Sequence, residues 1–314
     1  MKAYHADRQP LALPPGHRFP ATKYRRLRNL VEAWVELEVI EAAPAEDTVL
    51  ALAHDAGYIR AIAGNGLSAA EQRAIGFPWS EAMVERSRRS VGATIAAARA
   101  ALAEGVAANL AGGTHHAGAS RGSGYCVFND VAVAARLVQA EAGRATGGEP
   151  AAPRIVVIDL DVHQGDGTAS IFAGDASVFT LSLHGEKNFP FRKAASDLDV
   201  GLPDGCADAD YLAALDLALA AVWREHAAEP FGLAFYLAGA DPHEGDRLGR
   251  LKLSAAGLLE RDRKVFAALR ERRIPVALSM AGGYGRVIDD TVQVHVGTIR
   301  AAIDSWRQWN NATP

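Results

Sequence analysis

Four apolar runs stand out along the chain, each too short for a helix and too continuous for a half-exposed strand. They cover residues 155–160, 178–183, 231–237 and 274–280, and the first reads Ile155, Val156, Val157, Ile158, Asp159, Leu160. Runs of this kind suit strands buried on both faces, which predicts a parallel sheet inside an α/β domain. Helices are predicted between and around them at 22–37, 54–62, 129–141, 165–172 and 208–226. A further long, alanine-rich helix should start at a Ser80 cap and reach about Glu104. Proline-rich residues 11–20, with His17 and Arg18, read as a loop.

The polar residues that interrupt this pattern gather where the strands end. In extended chain Asp159, Asp161 and His163 point to one side, with neighbours two apart separated by roughly 6.5 to 7 Å, so two of them can share an ion. Asp161 and His163 are the candidate ligands and Asp159 a support behind them. The alternative is that an Asp at a strand end simply caps the next helix. Residues 110–130 (LAGGTHHAGASRGSGYCVFND) form a glycine-rich loop carrying adjacent His115 and His116, and Asp159 and Asp166 could each orient one imidazole. Asp241 follows the third run, and Tyr284 follows the fourth in the turn AGGYG. Strand carboxyl ends in a parallel sheet face one crevice, so Asp, His and Tyr at several of them predict an active site. Phe189 and Phe191, in the loop 184–193, either line a pocket or cover the core. Arg25, Arg26 and Arg28 form either a basic rim near the site's mouth or the solvated face of a helix.

Composition narrows the class. The 314 residues show no internal repeat or flexible linker, which favours one domain over 1–314. A net charge of −4 and a pI near 6.2 argue against a general nucleic-acid-binding surface. Two cysteines, Cys126 and Cys206, are too few for a disulfide framework, and the first ten residues lack the apolar core of a signal peptide, so a cytoplasmic location is expected. No stretch has the roughly 20 apolar residues of a membrane span.

Taken together, GGTHHA with GYCVFND, DLDVHQGDG, AGADPHEGDRLG and AGGYG resemble the zinc-dependent histone deacetylase family in order and spacing, from Leu110 onward. LSLHGEKNFPF and GADPHEGDRLGRL are most similar to its class IV branch and bacterial relatives. The resemblance implies the arginase/deacetylase fold, a single α/β domain with a central eight-stranded parallel sheet.

By the same resemblance Asp161, His163 and Asp241 match the zinc ligands, with iron as an alternative metal. His116 with Asp166 matches the general acid/base, His115 with Asp159 its electrostatic partner, and Tyr284 the donor to the substrate carbonyl. Gly124, Tyr125, Phe189 and Leu248 match the substrate tunnel. Asp159, Asp161, His163, Ser182 and Leu183 match a structural potassium site, and Phe172, Asp175, Val178 and Tyr211 a second. Leu248 stands where polyamine-preferring relatives carry a glutamate. The first hundred residues lack the family's substrate-rim aspartate, and Lys23 stands where an arginine is common.

The implied activity is hydrolysis of acetyl or longer acyl groups from lysine side chains of a protein or peptide. A small-molecule amidohydrolase acting on acetylated polyamines or related amides is the alternative. A catalytically silent scaffold predicts a lost ligand or tyrosine, and none is lost. An arginase-like binuclear centre needs more carboxylate ligands than this arrangement supplies.

Overall fold

A computed structural model describes residues 1–8, 11–145 and 152–311. Eight strands form one sheet: β1 (Lys2–His5), β2 (Glu38–Glu41), β3 (Val106–Asn109), β4 (Arg154–Asp159), β5 (Val178–Gly185), β6 (Leu198–Leu202), β7 (Phe231–Leu237) and β8 (Val276–Ser279). Their order is β2-β1-β3-β8-β7-β4-β5-β6, and every neighbouring pair runs parallel.

The central strands are the apolar runs because both of their faces are covered. Ile155, Val156, Val157 and Ile158 of β4 are buried, as are Leu233 to Leu237 of β7. Fully burying each such aliphatic side chain contributes about 1.5–3 kcal/mol. Helices Glu81–Glu104 and Asp130–Ala145 pack together as one group. Ile288–Asn311 packs on both Lys23–Val31 and Ala255–Glu271, and the latter on Asp208–Ala228. Ser80 caps its helix as expected, accepting the Met83 N–H at 3.1 Å. No helix among the described residues is long and apolar enough to cross a membrane.

Local differences from the sequence reading have physical causes. The helix expected over 22–37 stops at Val31, the last residue of its buried stripe Lys23, Tyr24, Leu27 and Val31, and the chain leaves it through turns that half-bury Trp34 and bury Leu37. Val35, one turn on, is 96% exposed. The chain then forms β2, which with β1, β3 and β6 was not foreseen. β2 and β6 are short edge strands with charged residues in them, and such strands carry little apolar pattern.

The site follows from the strand order. β3, β8, β7 and β4 are consecutive in the sheet, so the loops leaving their carboxyl ends lie side by side. Those loops carry His115 and His116, Tyr284, Asp241, and Asp161 with His163, in that order.

Candidate active site

Two buried imidazoles lie side by side, each braced by a carboxylate. The rings of His115 and His116 are 4.2 Å apart between centroids. His115 Nδ1–H donates to Asp159 Oδ2 at 2.6 Å, and His116 Nδ1–H donates to Asp166 Oδ1 at 2.7 Å. Using Nδ1 in this way fixes the tautomer and leaves each Nε2 free. The two then diverge electrostatically. Burial would lower His115, but the charges of Asp159 and Asp161 outweigh it and hold the imidazole up to about 9. Burial and the neighbouring His115 push His116 down to about 4, against the pull of Asp166.

The loop is held from behind by residues the sequence reading left without a role. Asp130 accepts N–H groups of Gly113 and Thr114 at 3.0 and 2.7 Å, and Asn129 donates to the Ala117 carbonyl at 3.1 Å. Gly124 has φ +53°, and a Cβ there would lie 2.5 Å from His116 Cδ2, so glycine is required for this close approach.

Asp161, His163 and Asp241 converge in front of the imidazoles, with one potential ligand atom from each lying within 4.8 Å of the others. His163 Nδ1 is 3.0 Å from Asp161 Oδ1 and 3.3 Å from Asp241 Oδ2. The remaining carboxylate oxygens take backbone donors, Gly282 N–H to Asp161 Oδ2 at 2.7 Å and Val162 N–H to Asp241 Oδ1 at 2.9 Å. Asp241 Oδ2 is buried with no hydrogen-bond donor among the described residues. Two buried carboxylates and one imidazole, with one oxygen unspoken for, fit a divalent cation held by three protein ligands with positions left open.

The charge balance of this cluster predicts how it takes up metal. Burial and Asp161 raise Asp241 to about 7. His163 is raised to about 10 by the adjacent carboxylates of Asp161 and Asp241, which overcome the opposite effect of burial. Binding a cation requires a neutral His163 and ionised carboxylates, so it must expel protons. Affinity of the metal-free protein for a divalent cation is therefore expected to climb from roughly pH 6 to 9, with proton release on addition. Calorimetry in buffers of different ionisation enthalpy measures this; a pH-independent affinity would show that these three groups do not bind the ion.

Tyr284 completes the cleft. Its ring centroid lies 6.3 Å from that of His163 and 5.8 Å from that of Tyr125. Burial and the charges of Asp161 and Asp241 raise its phenol well above the ordinary value, so the O–H stays protonated and can donate. Its backbone is fixed at both ends: Tyr284 N–H donates to Asp246 Oδ2 at 2.5 Å, and Arg247 Nε–H donates to Tyr284 O at 2.9 Å. Lys23 is buried beneath the turn and donates to the carbonyls of Ala281 and Gly283 at 3.1 and 3.2 Å. Arg261, also buried, donates to Leu160 O and Gly239 O at 3.3 and 2.6 Å, tying together the strand ends that carry Asp161 and Asp241.

Gly124, Tyr125, Phe189 and Leu248 all line the outer cleft, about 740 Å³ in volume. Phe189 meets His116 edge-on at 4.9 Å, and Phe191 is 84% exposed at the rim. Asn188 joins the two walls through the Leu248 carbonyl at 2.8 Å. Behind the carboxylates lies an inner chamber bordered by Arg86, whose guanidinium is 5.5 Å from the rings of both Phe19 and Tyr24.

Of the other expected groups, Ser182 sits beside Asp159 in register on β5, and its hydroxyl is hydrogen-bonded with His184 Nδ1 at 3.0 Å. Of Phe172, Asp175, Val178 and Tyr211, Asp175 pairs with Arg136 at 2.5 Å, and the Arg136 guanidinium lies 4.9 Å from the Phe172 ring. Arg25, Arg26 and Arg28 are not at the mouth. Arg25 and Arg28 pair with Asp7 at 3.8 and 3.0 Å, and Arg26 with Asp289 at 2.5 Å.

A parallel eight-stranded sheet with its reactive groups gathered at the carboxyl ends of adjacent strands is the architecture of the arginase/deacetylase superfamily. Residues 17–299 match the histone deacetylase domain. An uncharacterised protein of Picosynechococcus is 42% identical, the match covering 96% of this chain and 97% of that one. Histone deacetylase 2 of Arabidopsis thaliana is 31% identical over 88% of this chain and 73% of its own. The crystal structure of a histone deacetylase homologue from Aquifex aeolicus superposes with a TM-score of 0.75 at 25% identity, covering 99% of this chain and 88% of the other. The chain belongs to the histone deacetylase family, whose members are deacetylase-type hydrolases and generally metal-dependent.

Proposed function

We propose that the protein is a zinc-dependent deacylase that removes acetyl or longer acyl groups from lysine side chains. The observation that carries this reading is the buried Asp161, His163 and Asp241 cluster facing the His116–Asp166 pair and the Tyr284 phenol at the floor of an aromatic-walled cleft. The Arabidopsis relative named a histone deacetylase supports it.

Held by the three ligands, zinc would polarise an amide carbonyl and acidify a water. The protein's own groups do the rest. His116, uncharged at neutral pH, takes a proton from the attacking water through Nε2 and returns it to the leaving amine, while Asp166 keeps the ring aligned. The Tyr284 hydroxyl donates to the carbonyl oxygen as negative charge grows there. His115, held cationic by Asp159, adds positive charge beside the cluster. The amide C–N bond is broken, and the products are a primary amine and a carboxylate. Tyr125 and Phe189 flank the methylenes of the lysine.

Iron is the alternative metal, and a structural potassium ion at Asp159, Asp161, His163, Ser182 and Leu183 belongs to the same proposal, as do a class IV affinity and a cytoplasmic location. The small-amide reading is narrowed by Leu248, which offers a polyamine no negative charge. The deciding experiment is a panel of one lysine peptide bearing acetyl, octanoyl or myristoyl beside acetylated polyamines, each with and without a hydroxamate chelator. Chelator-sensitive release from the peptides is expected, the preferred chain reporting the depth of the slot. Release from polyamines alone would overturn the lysine reading.

A further inference from the structure

The floor of the cleft is aromatic, but its rim is cationic. Arg18, Arg73, Lys187, Arg247 and Arg250 line it from four separate segments of the chain, and no Asp or Glu side chain lines it among the described residues. This concentration of positive charge occurs on a protein whose net charge is −4. Two of the five are already engaged: Arg250 pairs with Asp204 at 3.1 Å, and Arg247 donates to the carbonyls of Tyr284 and Arg18 at 2.9 and 3.1 Å. The side chains of Arg18, Arg73 and Lys187 are exposed and meet no carboxylate among the described residues. Arg18 and Arg247 also face the Tyr125 phenol on the cleft wall, where their charges oppose the upward effect of burial.

From this arrangement we propose that the substrate carries negative charge of its own, as a carboxylate on the amine side of the scissile amide, just outside the Tyr125–Phe189 slot. The inference rests on the reading that an acylated amine enters this cleft. A mouth of one sign concentrates ligands of the opposite sign and repels those of its own. It therefore disfavours polyamines and lysine-rich segments alike. The carboxylate has two sources of the same chemistry: acidic residues flanking an acyl-lysine in a protein, or the α-carboxylate of a free Nε-acyl-lysine.

Acyl-lysine peptides with Asp/Glu, Ser or Lys flanks test this, alongside free Nε-acyl-lysine with its carboxylate intact or amidated. With three unpaired rim cations, kcat/KM at low salt is expected to favour acidic over basic flanks, or free over amidated carboxylate, by about tenfold or more, chiefly through KM. The ratio should shrink towards one at roughly 0.5 M salt. In the combined variant Arg18→Gln, Arg73→Gln, Lys187→Gln the same ratio should collapse at low salt. A preference confined to the flanked peptides identifies a protein substrate, and one confined to free acyl-lysine a small molecule. Hydrolysis with no charge preference, with a preference for basic flanks, or with a preference that survives in the variant overturns the proposal while leaving deacylation intact. Failure to cleave any acyl-lysine compound overturns the deacylase reading, and this inference with it.

Discussion

Tyr284→Phe is expected to retain fold and metal and to lose about a hundred- to a thousandfold in kcat, the effect of removing one preorganised donor to a developing oxyanion. The phenol hydroxyl makes no hydrogen bond to the described residues, so its loss strands no buried partner. The ring's contacts with Tyr125 and His163 survive the change, and the turn remains anchored through Asp246, Arg247 and Lys23. The loss should therefore appear in kcat rather than in KM, metal content or melting temperature. Unchanged turnover with full metal would remove Tyr284 from the chemistry.

The second large effect separates the paired histidines. His116→Ala should lower kcat/KM by roughly 10²- to 10⁴-fold, the usual contribution of a positioned acid/base. Only His116 is pushed into the uncharged form at neutral pH and so can accept a proton there. His115→Ala should cost less in rate and more in stability. It leaves Asp159 buried without the imidazole that donates to it, with burial and the Asp161 charge raising that carboxyl. Rates and melting curves of both variants decide the matter, and the reverse ranking would mean that the two histidines exchange roles.

Much of the site was legible because Asp161, His163, Asp241 and Tyr284 sit within a few residues of an apolar run, and His115 and His116 stand adjacent in a glycine-rich loop. A two-sided burial pattern announces strands such as β4 and β7, and the polar residues directly after them are placed at the sheet's edge by geometry alone. Pairings such as His115 with Asp159, 44 residues apart, were accessible because both ends belonged to such motifs. Supporting contacts were not. Lys23 and Arg261 act on backbone carbonyls, which any residue presents, so nothing in the sequence of the acceptor segments marks them as partners. Asp246 lay inside a quoted motif, yet its bond to the Tyr284 N–H crosses between two loops. The rim shows the same limit. Arg25, Arg26 and Arg28 drew notice because they cluster in sequence, whereas the arginines that border the cleft come from scattered segments.

Every side chain assigned to chemistry lies beyond residue 110, and the first hundred residues carry none of the motifs by which the sequence resembles its family. The Lys23 contact to Ala281, spanning 258 positions, makes that division misleading. A fragment beginning at Leu110 would contain all the reactive groups and lack the bolt that holds the tyrosine turn, along with three strands of the sheet. Reactivity here is not a cassette that can be cut out and grafted. It is inherited whole, and drift at the amino terminus is bounded by what the far end of the chain requires.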